Sequence, residues 1–174
     1  MLHASVGDLI LPNIKFDLSK GLKEWFSGAE KVVLAGIGNP IRMDDFVGTR
    51  VIQLMQGNVS KRVLLIECET VPENFIQRIS DFGPTHVLLI DAAMLNVKPG
   101  QYRLLKPSEL LTSPAISTHS LPIKIFCDYI AKSTKSKIGL LLIQPRTTDF
   151  GEGLSREVEA SARELSSDLR NFLP

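Results

Sequence analysis

Four short, almost uninterrupted apolar runs punctuate the chain: Val32–Ala35, Val63–Ile66, Val87–Ile90 and Ile138–Ile143. They are rich in Val, Ile and Leu, too short for most helices and free of polar alternation. Such runs predict strands buried on both faces, as in a parallel sheet. The stretches between them carry helical signals. Asp44 or Asp45 is placed to cap a helix running to about Gln56, and Pro72 suits the first turn of one through Ile79. Ser117 or Thr118 precedes a helix from His119 to about Ser133. At the end, Leu154, Val158, Leu165, Leu169 and Phe172 recur at helical spacing among charges, which predicts a helix over 154–172.

Strand and helix therefore alternate. Right-handed β-α-β crossovers then give a three-layer α/β/α sandwich around a mostly parallel sheet. Gln101–Leu105, which follows Lys98-Pro99-Gly100 and alternates in polarity, is expected to add an edge strand. Residues 1–30 read as an N-terminal extension packed on the domain, with an amphipathic helix over Lys15–Phe26, and residues 31–174 as the domain itself.

Composition narrows the class of function. A chain of 174 residues suits one domain with a substantial core. With 20 basic and 19 acidic side chains it has no global charge with which to attract nucleic acid or an anionic membrane. Cys68 and Cys127 are too few for a disulfide framework and lie far from CxxC spacing, which points to a reducing, cytoplasmic setting. No apolar stretch reaches the length of a membrane span, so membrane insertion is not expected. A monomer is the expected state.

In an open parallel sheet, ligands bind beyond the carboxyl ends of the strands, where loops and helix N-termini converge. Those ends carry Gly36-Ile37-Gly38-Asn39 and Asp44-Asp45 after the first strand, Glu67-Cys68-Glu69 after the second and Asp91 after the third. His119 opens a helix that can face the same edge. Carboxylates with one imidazole suit a divalent ion such as nickel or zinc, and three protein ligands would leave coordination open. A single capping residue suffices for a helix, so one of the adjacent acids Asp44 and Asp45 remains available for such work. Cys68 with His119 as base is a weaker alternative, because no cationic neighbour that would stabilise a thiolate is evident. Gly36-x-Gly38 begins like a dinucleotide fingerprint, but Ile41 stands where the third glycine belongs.

Taken together, Gly36-Ile37-Gly38-Asn39 with Asp44-Asp45-x-x-Gly48, Thr70-Val71-Pro72-Glu73-Asn74, Ile90-Asp91-Ala92-Ala93 with Pro99-Gly100, Ser117-Thr118-His119-Ser120-Leu121-Pro122 and Leu154-Ser155-Arg156-Glu157-Val158 resemble the hydrogenase maturation endopeptidases. The resemblance is strongest to the branch acting on hydrogenlyase-type nickel–iron enzymes. It implies a protease, of aspartyl type by its catalytic carboxylate, that removes a C-terminal extension from a nickel-loaded large-subunit precursor. The Ni2+ is expected to come with that substrate, and the protease need not hold it at rest. The resemblance also implies Asp45, Glu67 and His119 as metal-contacting residues, with Asp45 catalytic; Gly38, Asn39, Asp44, Glu69 and Asp91, at the same strand ends, are expected to bind substrate or support the site. One departure is local: the family usually has Asp-Gly-Gly where this chain has Glu67-Cys68-Glu69, so Glu69 stands beside Glu67 as an alternative second ligand. A non-proteolytic module that binds the precursor and checks its nickel loading is the competing reading.

Overall fold

The computed structural model describes residues 14–110 and 120–174. Its centre is a five-stranded sheet of β1 (Val32–Ile37), β2 (Val63–Glu69), β3 (His86–Ala92), β4 (Tyr102–Leu105) and β5 (Lys137–Ile143). The strand order is β2-β1-β3-β5-β4, with every pair parallel except the antiparallel edge β4–β5. The four apolar runs are the four parallel strands. All six residues of β1 are buried, because both sheet faces are covered.

Side-chain alternation sorts the core into two layers. Val32, Leu34, Leu88, Ile90, Leu141 and Ile143 face α1 (Ile14–Trp25), α2 (Val47–Met55) and α5 (Arg156–Arg170). Val33, Ala35, Val87, Leu89, Leu140 and Leu142 face α3 (Ile76–Phe82) and α4 (Ser120–Thr134). The expected α/β/α sandwich is thus observed. Arg50 on α2 and Glu159 on α5 add a two-point ion pair, with Nε and Nη2 donating to the carboxylate at 3.1 and 2.9 Å.

Of the N-terminal 1–30 segment, residues 1–13 lie outside the described residues. The helix that follows is part of the core, since Leu22, Trp25 and Phe26 are all buried. Trp25 lies so close over β5 that a Cβ on Gly139 would come within 2.7 Å of the indole. Lys137 Nζ donates to the Trp25 carbonyl at 2.7 Å.

The opening of α2 departs from expectation. A 3-10 turn over Met43–Phe46 leads into α2, and neither Asp44 nor Asp45 caps it. Both carboxylates are engaged elsewhere. The expected caps Ser117 and Thr118 of the fourth helix lie outside the described residues.

Candidate active site

The sheet reverses its winding between β1 and β3: the chain runs from β1 to β2 on one side, and β3 continues on the other. A crevice opens at the carboxyl ends of such a pair because the two loops diverge. It is a cavity of about 590 Å³, with Asn39, Arg42 and Asp45 from the loop after β1 and Asp91, Ala92, Ala93 and Met94 from the end of β3. Thr70, Pro72 and Glu73 form the wall after β2, Pro122 and Ile123 of α4 a second wall, and Pro145 and Thr148 a third.

Glycines set this geometry by close approach. A Cβ on Gly48, in the first turn of α2, would meet the carbonyl oxygens of Ile90 and Ile37 at 2.1 and 2.3 Å. A Cβ on Gly36 would meet the Gly48 carbonyl at 2.3 Å. The glycine pattern therefore lets α2 begin directly on the ends of β1 and β3. Gly38 is closed in the same way, 2.3 Å from the Asp45 carbonyl oxygen by the same measure, and its N–H donates to the Glu69 carbonyl at 2.7 Å.

The adjacent acids Asp44 and Asp45 have different environments. Asp44 is completely buried. Its Oδ1 accepts from Ser155 N at 2.6 Å, and its Oδ2 from Arg146 N, Thr147 N and Ser155 Oγ at 2.8, 3.3 and 2.8 Å. It ties the 145–155 connection to the loop after β1. Asp45 instead lines the cavity, and its Oδ2 accepts from Asn39 N at 3.0 Å. Asn39 Oδ1 in turn accepts from Ile41 N at 3.1 Å, which shapes the loop that presents Asp45. Asp44 is thus a structural anchor, and Asp45 the acid open to the cavity.

Asp91 stands with Asp45. Burial pushes its carboxyl up to about 7, the charge of Asp45 pushes in the same direction, and the Ala92 N–H at 2.8 Å opposes both. The expectation that Glu67 joins Asp45 is not met. Glu67 is absent from the cavity lining and accepts from Gln53 Nε2 of α2 at 3.0 Å. The cause is strand alternation: Ile66 and Cys68 point into the α3/α4 layer, so Glu67 between them points to the α2 layer. Asp91 shares its parity with Val87 and Leu89 and so faces the α3/α4 side, where the cavity is. Glu69 is exposed and in the left-handed region, at φ 51°, and does not line the cavity either.

His119 lies outside the described residues. Among the described residues no group of three His, Cys, Asp or Glu side chains forms a ligand set. The Cys68 thiol is pushed up to about 12, chiefly by burial, which leaves it protonated at neutral pH and unsuited to nucleophilic attack. His86 begins β3 at the opposite end of the sheet, packed edge-on against Trp25 with centroids 5.1 Å apart. Arg42, Glu73, Met94 and the 145–148 connection complete the cavity without having been singled out as site residues. Applying the strand-end rule to Gln144-Pro145, just beyond β5, would have found the last of these.

Comparison with known proteins follows the same lines. A family model described as hydrogenase maturation protease matches residues 49–169. A Methanocaldococcus jannaschii protein provisionally named a hydrogenase maturation protease is 32% identical over 156 residues, spanning 85% of this chain and 91% of that one. The hydrogenase 3 maturation protease of Escherichia coli K12 is 27% identical over 140 residues, 80% of this chain and 89% of its own. The crystal structure of the [NiFe] hydrogenase maturation protease HycI from Thermococcus kodakarensis KOD1 matches with a TM-score of 0.81 at 32% identity, covering 88% and 98% of the two chains.

Proposed function

The chain belongs to the hydrogenase maturation protease family, and from that premise we propose that it is the endopeptidase that removes the C-terminal extension of a nickel-loaded [NiFe]-hydrogenase large-subunit precursor. The observation that carries this reading is the pairing of Asp45 and Asp91 in one open cavity at the ends of adjacent strands β1 and β3. Burial, and after it the charge of Asp45, favours a proton on Asp91, because a second negative charge in the site is costly. Carboxylate oxygens are suitable ligands for nickel that arrives as part of the substrate, and the imidazole of His119 is the expected third.

The pair also has the proton inventory for peptide hydrolysis. Asp45 accepts a proton from the attacking water as its oxygen bonds to the scissile carbonyl carbon. Asp91, pushed up to about 7 and so about half protonated at neutral pH, delivers a proton to the departing amide nitrogen. The C–N bond breaks, leaving a new carboxyl on the mature subunit and a free amine on the released peptide. Nickel in the substrate would stabilise negative charge developing on the carbonyl oxygen. Asp44 holds the loop in place and Asn39 orients Asp45. Action in the cytoplasm as a monomer belongs to the same proposal, and the two free, buried cysteines are compatible with reducing surroundings.

Purified protein incubated with nickel-loaded precursor should release a short C-terminal peptide, read by intact mass spectrometry, while nickel-free precursor stays full length. Nickel-loaded precursor left intact would remove the proteolytic reading. Tight binding without cleavage would favour the checkpoint module.

A further inference from the structure

The large apolar side chains left in solvent are not scattered. Among the described residues six are exposed; one of them lines the Asp45–Asp91 cavity, and four more, Ile125 on α4 among them, stand within two residues of its lining in sequence. Met94, 50% exposed, lines it directly. Val71 sits between the lining residues Thr70 and Pro72, Ile41 immediately precedes the lining residue Arg42, and Phe150 lies two residues beyond the lining residue Thr148. Phe150 is 83% exposed, so nothing in the described fold uses its ring.

Backbone bonds fix this arrangement. Gly151 N donates to the Ile41 carbonyl at 3.0 Å, Met43 N donates back to the Gly151 carbonyl at 2.9 Å, and Arg42 Nε donates to the Thr148 carbonyl at 3.1 Å. Ile41 and Phe150 therefore project from two segments laced together as one lip. Met94 is set from below: the buried Gln144 accepts from Leu95 N at 2.7 Å, and its Nε2 lies 3.6 Å from Met94 Sδ. Single exposed apolar residues are ordinary on protein surfaces, whereas a group of them beside a cavity marks a contact site.

We propose that Ile41, Val71, Met94 and Phe150 form a docking collar for an apolar stretch of the precursor polypeptide beside the scissile bond. The inference rests on the proteolytic reading above. A cavity of about 590 Å³ admits only a few residues of a chain, so much of the affinity for a protein substrate must come from the surface continuous with its mouth. A polypeptide is the occupant that has to cross this collar to reach Asp45 and Asp91. Phe150 supplies a rigid aromatic anchor and Met94 an adaptable one, the combination that suits an extended apolar segment.

The test is steady-state cleavage of nickel-loaded precursor by Phe150→Ser and by the double variant Ile41→Ser with Phe150→Ser. KM should rise roughly tenfold in the single and up to roughly a hundredfold in the double variant, with kcat within about threefold of wild type. Melting temperatures should not move, because both side chains are exposed. Tyr129→Ser removes another exposed aromatic side chain, about two turns along α4 from Pro122, and it should leave KM unchanged. Wild-type cleavage with unaltered KM in the collar variants overturns the collar and leaves proteolysis standing. If the wild type does not cleave, calorimetric binding to the nickel-loaded precursor decides. Collar variants that bind as the wild type does, or a wild type that does not bind, overturn the collar as well. An equal KM rise in Tyr129→Ser would mean loss of general surface apolarity, and a wild-type dimer dissociated by Phe150→Ser would mean a self-association face; either result overturns the proposal.

Discussion

Replacing Asp44 and Asp45 one at a time by Asn separates two carboxylates that are neighbours in sequence and opposites in environment. Asp44 accepts four hydrogen bonds with no solvent exposure. In Asp44→Asn the best amide orientation places its oxygen where Oδ2 stood and keeps three of these bonds. The amide nitrogen then takes the place of Oδ1, donor against donor with Ser155 N, where the carboxylate distance is 2.6 Å. Losing a charged acceptor and stranding an N–H costs about 2–3 kcal/mol. Asp44→Ala strands all four donors, and because Arg146 and Ser155 lie near solvent, entering water recovers part of the loss, for a net of about 3–5 kcal/mol. Asp45 accepts a single backbone N–H at a cavity wall, so Asp45→Asn should change stability by less than about 1 kcal/mol while abolishing cleavage. Guanidinium unfolding followed by circular dichroism gives the stabilities, and precursor cleavage gives the activities. An Asp44→Asn protein within about 0.5 kcal/mol of wild type, or an Asp45→Asn protein equally destabilised, would refute this division of labour.

Three further outcomes follow from the same geometry. Asp91 keeps its proton to about 7 when folded and ionises near its ordinary 3.8 when unfolded; between those values the unfolded chain releases a proton that the folded chain retains, so wild-type stability falls as pH rises through that window. Asp91→Asn should lack this fall and gain about 2–4 kcal/mol on the wild type between pH 4 and pH 8, by urea unfolding at the two pH values; parallel behaviour of the two proteins would count against the buried, Asp45-coupled carboxyl. Glu67→Gln should retain cleavage within about threefold of wild type, because Glu67 is bonded to Gln53 outside the cavity, and a loss matching that of Asp45→Asn would restore Glu67 to the site. Gly48→Ala should cost about 3 kcal/mol or more, or prevent folding, since the new methyl would lie 2.1 and 2.3 Å from two strand carbonyls; a melting temperature within a few degrees of wild type would show that α2 has room to move.

What could be read from the chain divides along the range of the interactions involved. The parallel strands were legible because a strand covered on both faces leaves a continuous apolar run, as at Val32–Ile37. The antiparallel edge at Tyr102–Leu105 was legible for the converse reason, its alternating polarity. The role of Asp44 was not, because its partners Arg146, Thr147 and Ser155 are more than a hundred residues away and three of the four bonds come from backbone N–H groups, which leave no mark on side-chain pattern. Local propensity favoured a helix cap, and tertiary bonding overrode it. The glycines of Gly36 to Gly48 were visible as a motif, but their purpose required knowing that α2 rests on two strand ends at once.

The choice between Glu67 and Asp91 shows how much a single further fact would have supplied. Both acids follow apolar runs, and both belong to strands that pair with β1 in parallel. Pairing alone therefore cannot rank them. Alternation can: Ile66 and Cys68 are buried in the α3/α4 layer, which sends Glu67 to the α2 side, whereas Val87 and Leu89 place Asp91 on the α3/α4 side. That parity is present in the sequence once the inward direction of one residue per strand is fixed. For strands buried on both faces it is not fixed by hydropathy, because each face is equally apolar. The same double burial that made the strands easy to find therefore concealed which carboxylate faces Asp45, and only the assembled sheet, with α2 on one side and α3 and α4 on the other, resolves it.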